Sequence, residues 1–362
     1  MTSQHFDFDP TRALPAASYR DPAWLSVEMD RIWHGDWVFV TTEDALSNPG
    51  DQLPVVIGNQ PVLVLRNQSG DLTALSNLCA HRGTLLVEEP TNDKRIQCPY
   101  HAWTYDDAGK LIACPFETPG SIDRDSHCLP VYRVESWHGL VFVSLNREVE
   151  TLKQRFSAVE PFVVERGFGT LHQGSAREIN EVWECNWKIA TTNAMESYHL
   201  FKVHPSTLEP ITPSRTAYYI TGSARATATG GTVTGGADYL LISLPPAFVG
   251  VFTDESFFWL AVYPIDTHRC TLRVAGAYGS EQDADVFRQL TSFLTDSIGS
   301  SELTAFLSED KAICERVQRG IAGDFRPGQL LPIERVVMDF GHYLNWRINN
   351  VEPPTVHLEQ NS

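Results

Sequence analysis

Two cysteine–histidine pairs flank a short polar loop in NLCAHRGTLLVEEPTNDKRIQCPYHAWTY, residues 77–105. Cys79-x-His81 and Cys98-x-x-His101 offer two thiols and two imidazoles, and four such donors held in short loops make a metal site. A zinc finger would set both cysteines in one half and both histidines in the other. Here each half supplies one of each. That suits a [2Fe–2S] cluster in which one iron takes two thiolates and the other two imidazoles, which raises its potential above that of an all-thiolate cluster. Gly83 permits a tight turn beneath the first loop, and Pro99, Tyr100 and Trp103 give the second a rigid, largely apolar wall.

A second set of donors lies in NWKIATTNAMESYHLFKVHP, residues 186–205. If 187–200 is helical, Glu196 and His199 share a face and His204 lies just past the helix end. A carboxylate can join them from ELTAFLSEDKAICERVQRGI, residues 302–321. On a helical wheel Leu303, Phe306, Ile313, Cys314 and Val317 form one stripe, Asp310 sits in its middle, and Glu302 and Glu309 lie toward its edge. An ionised carboxylate centred on an apolar stripe needs a cation, either a bound metal or an arginine. Two histidines and one carboxylate are the facial triad of non-haem Fe(II) sites, which leaves positions open for O2 and substrate.

The elements that must position these donors fall into three stretches. DPAWLSVEMDRIWHG, with Asp21 as cap and Pro22 at the first helical position, predicts an amphipathic helix with Leu25, Met29, Ile32 and Trp33 on one face. From there to about residue 145, β-rich runs (WVFVTT, LPVVIG, PVLVLR, DLTALS, KLIA, LVFVSL) alternate with turn chemistry and predict a compact all-β module around both cysteine–histidine loops. Beyond about residue 165 come longer strands, TAYYITGSARATATG, YLLISL, AFVGVF, SFFWLAVYP and CTLRVAGAYG, with TGGTVTGGAD read as a turn or mobile loop. Helical patterns follow over DADVFRQLTSFLTDSIG, ELTAFLSEDKAICERVQRGI and IERVVMDFGHYLNWRI. Strands followed by helices predict an α+β body, an antiparallel sheet covered by helices. The expected division is 1–36, an N-terminal helix packing on the catalytic body; 37–160, the cluster domain; and 161–362, the catalytic domain.

The spacing from Cys79 to His101, with CAHRG followed by CPYHAWTYD, resembles the Rieske family in the form found in ring-hydroxylating oxygenases. Glu196-Ser-Tyr-His199-Leu-Phe-Lys-Val-His204 is similar to the second motif of their catalytic α subunits, an acid, two residues, His, four residues, His. The resemblance covers nearly the whole chain. It implies that Cys79, His81, Cys98 and His101 hold a Rieske [2Fe–2S] cluster and that His199, His204 and Asp310 bind a mononuclear Fe(II). It also implies that Glu196 bridges the two centres, bonding His199 and, across a subunit boundary, His101 of a neighbour, within a homotrimer. Glu196 stands where many aromatic dioxygenases have Asp, and is more reminiscent of relatives that attack carnitine or betaines.

The reaction implied is hydroxylation of a small, aromatic substrate by O2 with electrons from NAD(P)H delivered by a separate reductase or ferredoxin. No G-x-G-x-x-G follows a strand, so a nicotinamide must act through that partner. Oxidation or N-demethylation of a quaternary amine is the alternative. A Rieske ferredoxin-type electron carrier would leave His199, His204 and Asp310 without purpose, and a zinc-stabilised ligand-binding protein would be colourless. Phe257, Trp259 and Tyr263 of the SFFWLAVYP strand, like Phe258, could line the pocket, stacking on an arene or attracting a trimethylammonium; Tyr218, Tyr219 and Tyr239 share that role or belong to the core.

The 362 residues have room for two domains and, at 42% hydrophobic, for a full core. A formal charge of -17 opposes nucleic acid or an anionic membrane as partner. No signal-like start or membrane span is expected, which predicts a cytoplasmic protein. Seven cysteines do not suggest a disulfide framework, and Cys114, Cys128, Cys185, Cys270 and Cys314 are read as small buried hydrophobes.

Overall fold

The computed structural model describes residues 5–118, 120–172, 178–253, 257–280 and 305–354. The chain divides into two units, one of residues 33–152 and one of residues 1–32 with 153–362.

In the smaller unit, β1 (Val38–Thr42), β2 (Asp51–Ile57), β3 (Gln60–Arg66), β4 (Leu72–Ser76), β5 (Thr91–Asn92), β9 (Val131–Trp137) and β10 (Leu140–Ser144) form one sheet in the order β1-β10-β9-β4-β3-β2-β5. The short strands β6 (Ile96–Gln97), β7 (Thr104–Tyr105) and β8 (Leu111–Ala113) form a second, three-stranded sheet. Central strands such as LVFVS in β10 are buried at every position, as their unbroken apolar sequence requires. The CAHRG loop follows β4, and the CPYHAW loop joins β6 to β7.

In the larger unit, β11 (Ile179–Trp183), β12 (Tyr218–Gly222), β13 (Thr227–Thr232), β14 (Asp238–Leu244), β15 (Phe248–Phe252), β16 (Phe257–Pro264) and β17 (Cys270–Ala277) make an antiparallel sheet in the order β11-β17-β16-β15-β14-β13-β12. The short helices α1 (Ala16–Arg20), α2 (Pro22–Glu28), α3 (Leu152–Arg155) and α4 (Glu160–Glu165) precede it in the chain. The site-bearing helices are α5 (Trp187–Met195), α6 (Leu200–Val203) and α7 (Ala305–Ile321), and α8 (Arg335–Asn349) closes the described chain. α5 packs on β14 to β17 and on α7 and α8. The α+β expectation holds: one unit is a small all-β domain, and the other is an antiparallel sheet covered by helices.

Several local expectations need correction. TAYYITGSARATATG is two paired strands, β12 and β13, rather than one. Within TGGTVTGGAD, Thr229 to Thr232 belong to β13, and the turn is confined to the next few residues, where Gly235 and Gly236 have φ of 114° and 102°. The N-terminal helix buries Trp24 and Glu28, while Leu25 is only half-buried. The helix predicted over residues 283–299 lies outside the described residues, as do Leu303 and Glu302. Cys128 is half-buried, whereas the other six cysteines are buried.

Candidate metal centres

The two cysteine–histidine loops share one backbone design. In the first, Gly83 N–H donates to Cys79 O and Cys79 N–H to Thr84 O; in the second, Ala102 N–H donates to Cys98 O and Cys98 N–H to Trp103 O. Each turn closes through a left-handed residue, Gly83 at φ 73° and Ala102 at φ 56°. For glycine this conformation is free, whereas for alanine it costs about 1 kcal/mol. The design buries the thiols of Cys79 and Cys98 and leaves His81 and His101 at the surface.

The imidazoles are held by ring contacts: His81 stacks on Trp103 with centroids 4.6 Å apart, His101 on Tyr100 at 3.8 Å, and the two histidines meet at 4.9 Å. The Tyr105 hydroxyl lies 3.3 Å from Cys79 Sγ and accepts from Ala80 N–H at 3.1 Å. Burial pushes the Cys79 thiol up, so the thiolate is favoured when a metal charge compensates it. Among the described residues, only the set His199, His204 and Asp310 brings three donors within 4.8 Å of one another. The Cys79, His81, Cys98 and His101 donors are therefore set wider than a single tetrahedral zinc requires. Two thiols in and two imidazoles out, at that wider spacing, fit a two-iron cluster.

The second centre is built by α5, α6 and α7. α5 starts where the Asn186 side chain accepts from Lys188 N–H, and it stops at Glu196, whose backbone is extended. Glu196 and His199 therefore do not share one helix, contrary to the expectation of a helix over 187–200. Instead the Glu196 carboxylate caps the turn that follows. One oxygen accepts from Tyr198 N–H and from His199 N–H at 3.2 Å, and the other meets His199 Nδ1 at 2.6 Å. His204 ends α6, and Glu309 Oε2 meets its Nδ1 at 2.7 Å while accepting from Thr207 Oγ1 at 2.6 Å.

With both Nδ1 atoms engaged, both Nε2 atoms turn toward Asp310. Asp310 Oδ1 lies 3.0 Å from His204 Nε2 and 3.4 Å from His199 Nε2. Ligands about 2.1 Å from one metal at right angles stand about 3.0 Å apart, so these spacings match adjacent edges of a coordination octahedron. Asn193 of α5 donates to Asp310 Oδ1 at 2.7 Å and holds the carboxylate in place. Burial pulls His199 down, but Asp310 and Glu196 outweigh it and hold it up at about 9. Burial likewise raises Asp310, yet the two histidines bring it below the usual carboxylate range. The donor set of the triad favours positive charge and fits a divalent metal with open sites.

A cavity of about 240 Å3 opens on this centre. Asn193, Glu196, His199 and Asp310 line it together with apolar residues that include Leu241, Val251, Phe257, Phe258, Leu260 and Phe306. The structure brings Phe257 to the cavity but not Trp259 or Tyr263. Arg273, paired with Glu178 at 2.6 Å, packs against the Trp259 and Tyr263 rings at 5.7 and 5.5 Å. Phe258 and Leu260, on the face of the strand opposite Trp259 and Tyr263, line the cavity as well. Tyr239, left undecided by the sequence, lines the cavity. Glu309 and Asn193 were missed as partners of the donors; the sequence signal for Glu309 was its place beside Asp310.

Both parts of the chain match known proteins. Residues 36–137 match the Rieske [2Fe-2S] domain, and residues 168–241 the ring hydroxylating alpha subunit (catalytic domain). The glycine betaine monooxygenase oxygenase subunit of Chromohalobacter salexigens is 30% identical over 200 residues, 55% of this chain and 44% of that one. Toluate 1,2-dioxygenase subunit alpha of Pseudomonas putida is 32% identical over 199 residues, 51% and 43% of the two chains. These alignments span a little under half the length of those relatives. Over 94% of this chain and 96% of the other, the fold matches a quaternary ammonium Rieske monooxygenase solved with L-carnitine, with a TM-score of 0.80 at 19% identity. Naphthalene 1,2-dioxygenase from Rhodococcus sp. matches over 93% of both chains, with a TM-score of 0.79 at 18% identity.

Fold and sites define a two-domain Rieske protein with a second, non-haem metal centre. Its two matched regions are a Rieske [2Fe-2S] domain and a ring hydroxylating alpha subunit catalytic domain, and the relatives it resembles are oxygenase subunits. Its two domains imply a Rieske [2Fe–2S] cluster and a mononuclear iron.

Proposed function

We propose that the protein is a terminal oxygenase that hydroxylates a small organic, aromatic substrate with O2, drawing electrons from a separate NAD(P)H-dependent reductase or ferredoxin. The observation that carries this reading is the convergence of His199, His204 and Asp310 on one point beside an apolar cavity. Cys79, Cys98, His81 and His101 would hold the cluster, and the triad the iron. Iron held there would supply a site for binding and activating O2 next to the substrate. The rest falls to the chain: Glu196 and Glu309 fix the imidazole tautomers, Asn193 orients Asp310, and the apolar wall excludes water.

Glu196 is also the proposed bridge between centres. Three of its four lone-pair positions are used by His199 and Tyr198, leaving one for an imidazole such as His101 of a neighbouring copy. That role calls for a ring-shaped homo-oligomer, which we propose to be a homotrimer acting in the cytoplasm; among the described residues no helix is long and apolar enough to cross a membrane. Oxidation of a quaternary amine is the second reading, favoured by Glu196 and by the glycine betaine relative.

Asp310→Ala tests the reading directly. The variant should keep the Rieske spectrum while losing the mononuclear iron and oxygen consumption. Retained iron and turnover would remove Asp310 from the ligand set.

A further inference from the structure

The described wall of the cavity beside the triad is mostly apolar. Among its described lining residues there is no lysine or arginine. Its two acids, Glu196 and Asp310, are already held by His199 and His204. A substrate carboxylate lying along this wall would shed its water without meeting a side-chain cation among the described lining residues.

One polar feature in this wall is placed differently. Ser197 and Tyr239 both line the cavity, and their hydroxyls lie 3.0 Å apart. Two hydroxyls carry two protons, and their mutual bond uses one. The second finds no other acceptor among the described residues, so the pair presents one donor to whatever fills the cavity.

The seat of the tyrosine is built into the sheet. Tyr239 pairs with Gly231 across β14 and β13, and its ring lies where a β-carbon on Gly231 would come within 2.6 Å of it. Only glycine lets the ring lie flat there, with its hydroxyl against Ser197. Burial also holds the phenol up, so it stays a neutral donor.

We propose that the substrate is uncharged and carries a hydrogen-bond acceptor, such as a carbonyl, that the Ser197–Tyr239 hydroxyl pair grips to orient the rest of the molecule against the apolar wall. The reaction still rests on the oxygenase reading, but the chemistry of the ligand rests on the cavity alone.

Four probes of similar size separate the terms: acetophenone, ethylbenzene, benzoate and trimethylphenylammonium, each titrated against the holoenzyme. Acetophenone should bind most tightly. The double variant Ser197→Ala/Tyr239→Phe should weaken acetophenone about 5- to 10-fold and leave ethylbenzene unchanged, as loss of one neutral hydrogen bond requires. Its iron content and cluster spectrum should match the parent. Tighter binding of either charged probe, no binding of acetophenone, or equal losses for acetophenone and ethylbenzene would overturn the inference. A holoenzyme that keeps this ranking but consumes no oxygen with any probe would sink the oxygenase reading and leave this one standing.

Discussion

Glu309 and Asp310 are neighbours in sequence with different tasks. Asp310 turns its oxygen to both Nε2 atoms, while Glu309 reaches the far side of His204. Removing a carboxylate behind a metal-bound imidazole lowers metal affinity about 10- to 100-fold without removing a ligand. Glu309→Ala should therefore bind Fe(II) that much more weakly in a titration, where Asp310→Ala binds none; parental affinity in Glu309→Ala would make its contact incidental. Asp339 shows a different residue-scale effect. Burial holds its carboxyl up at about 6, against the hydrogen bond from Tyr219 and the Arg335 guanidinium. A carboxyl raised on folding contributes stability that is full below the unfolded value of about 4 and is lost as pH rises through about 6. Melting temperatures of Asp339→Asn should gain on the parent between about pH 4 and pH 7 and hold a constant offset above; an offset independent of pH would contradict the assignment.

Among the elements, α5 matters most, because it carries Asn193 and delivers Glu196 to the turn before His199. Its first residues are anchored by a pair with no solvent exposure: Lys188 Nζ lies 2.7 Å from Glu28 Oε1, and Trp187 Nε1 donates to Glu28 Oε2 at 2.9 Å. Burial draws Lys188 below the usual amine range while Glu28 opposes it. Breaking one half of such a pair strands a charge and costs about 3–5 kcal/mol, whereas neutralising both is far milder. Lys188→Met should lower the melting temperature sharply and Glu28→Gln/Lys188→Met should recover most of it; a double variant as unstable as the single would locate the loss elsewhere. Sequence periodicity found the donors but not the shape of this element. The helical pattern runs on through residues 196–200, yet Glu196 gains more by capping the next turn than by extending α5. Glu28 hid within an apolar face because its partner lies 160 residues away. The left-handed turn at Gly83 was legible from glycine, while its twin at Ala102 was not, since alanine carries no such signal.

For the whole molecule, much was legible because metal chemistry fixes residue types and spacing, and strand runs alternate with turn residues. What stayed hidden depends on contacts between distant segments. Gly230 and Gly231 looked like a loop, but they are strand residues that admit the rings of Tyr218 and Tyr239. Trp259 and Tyr263 looked like pocket walls, but Arg273 holds their face of the sheet. The central claim, one chain furnishing a two-iron cluster and a separate catalytic iron, is tested most directly by metal analysis with the EPR spectrum of the dithionite-reduced protein. The account predicts about three irons per chain, two in the cluster and one at the triad, with an anisotropic signal of low average g. Two irons that stay two after Fe(II) is added back, or zinc in place of iron, would contradict it.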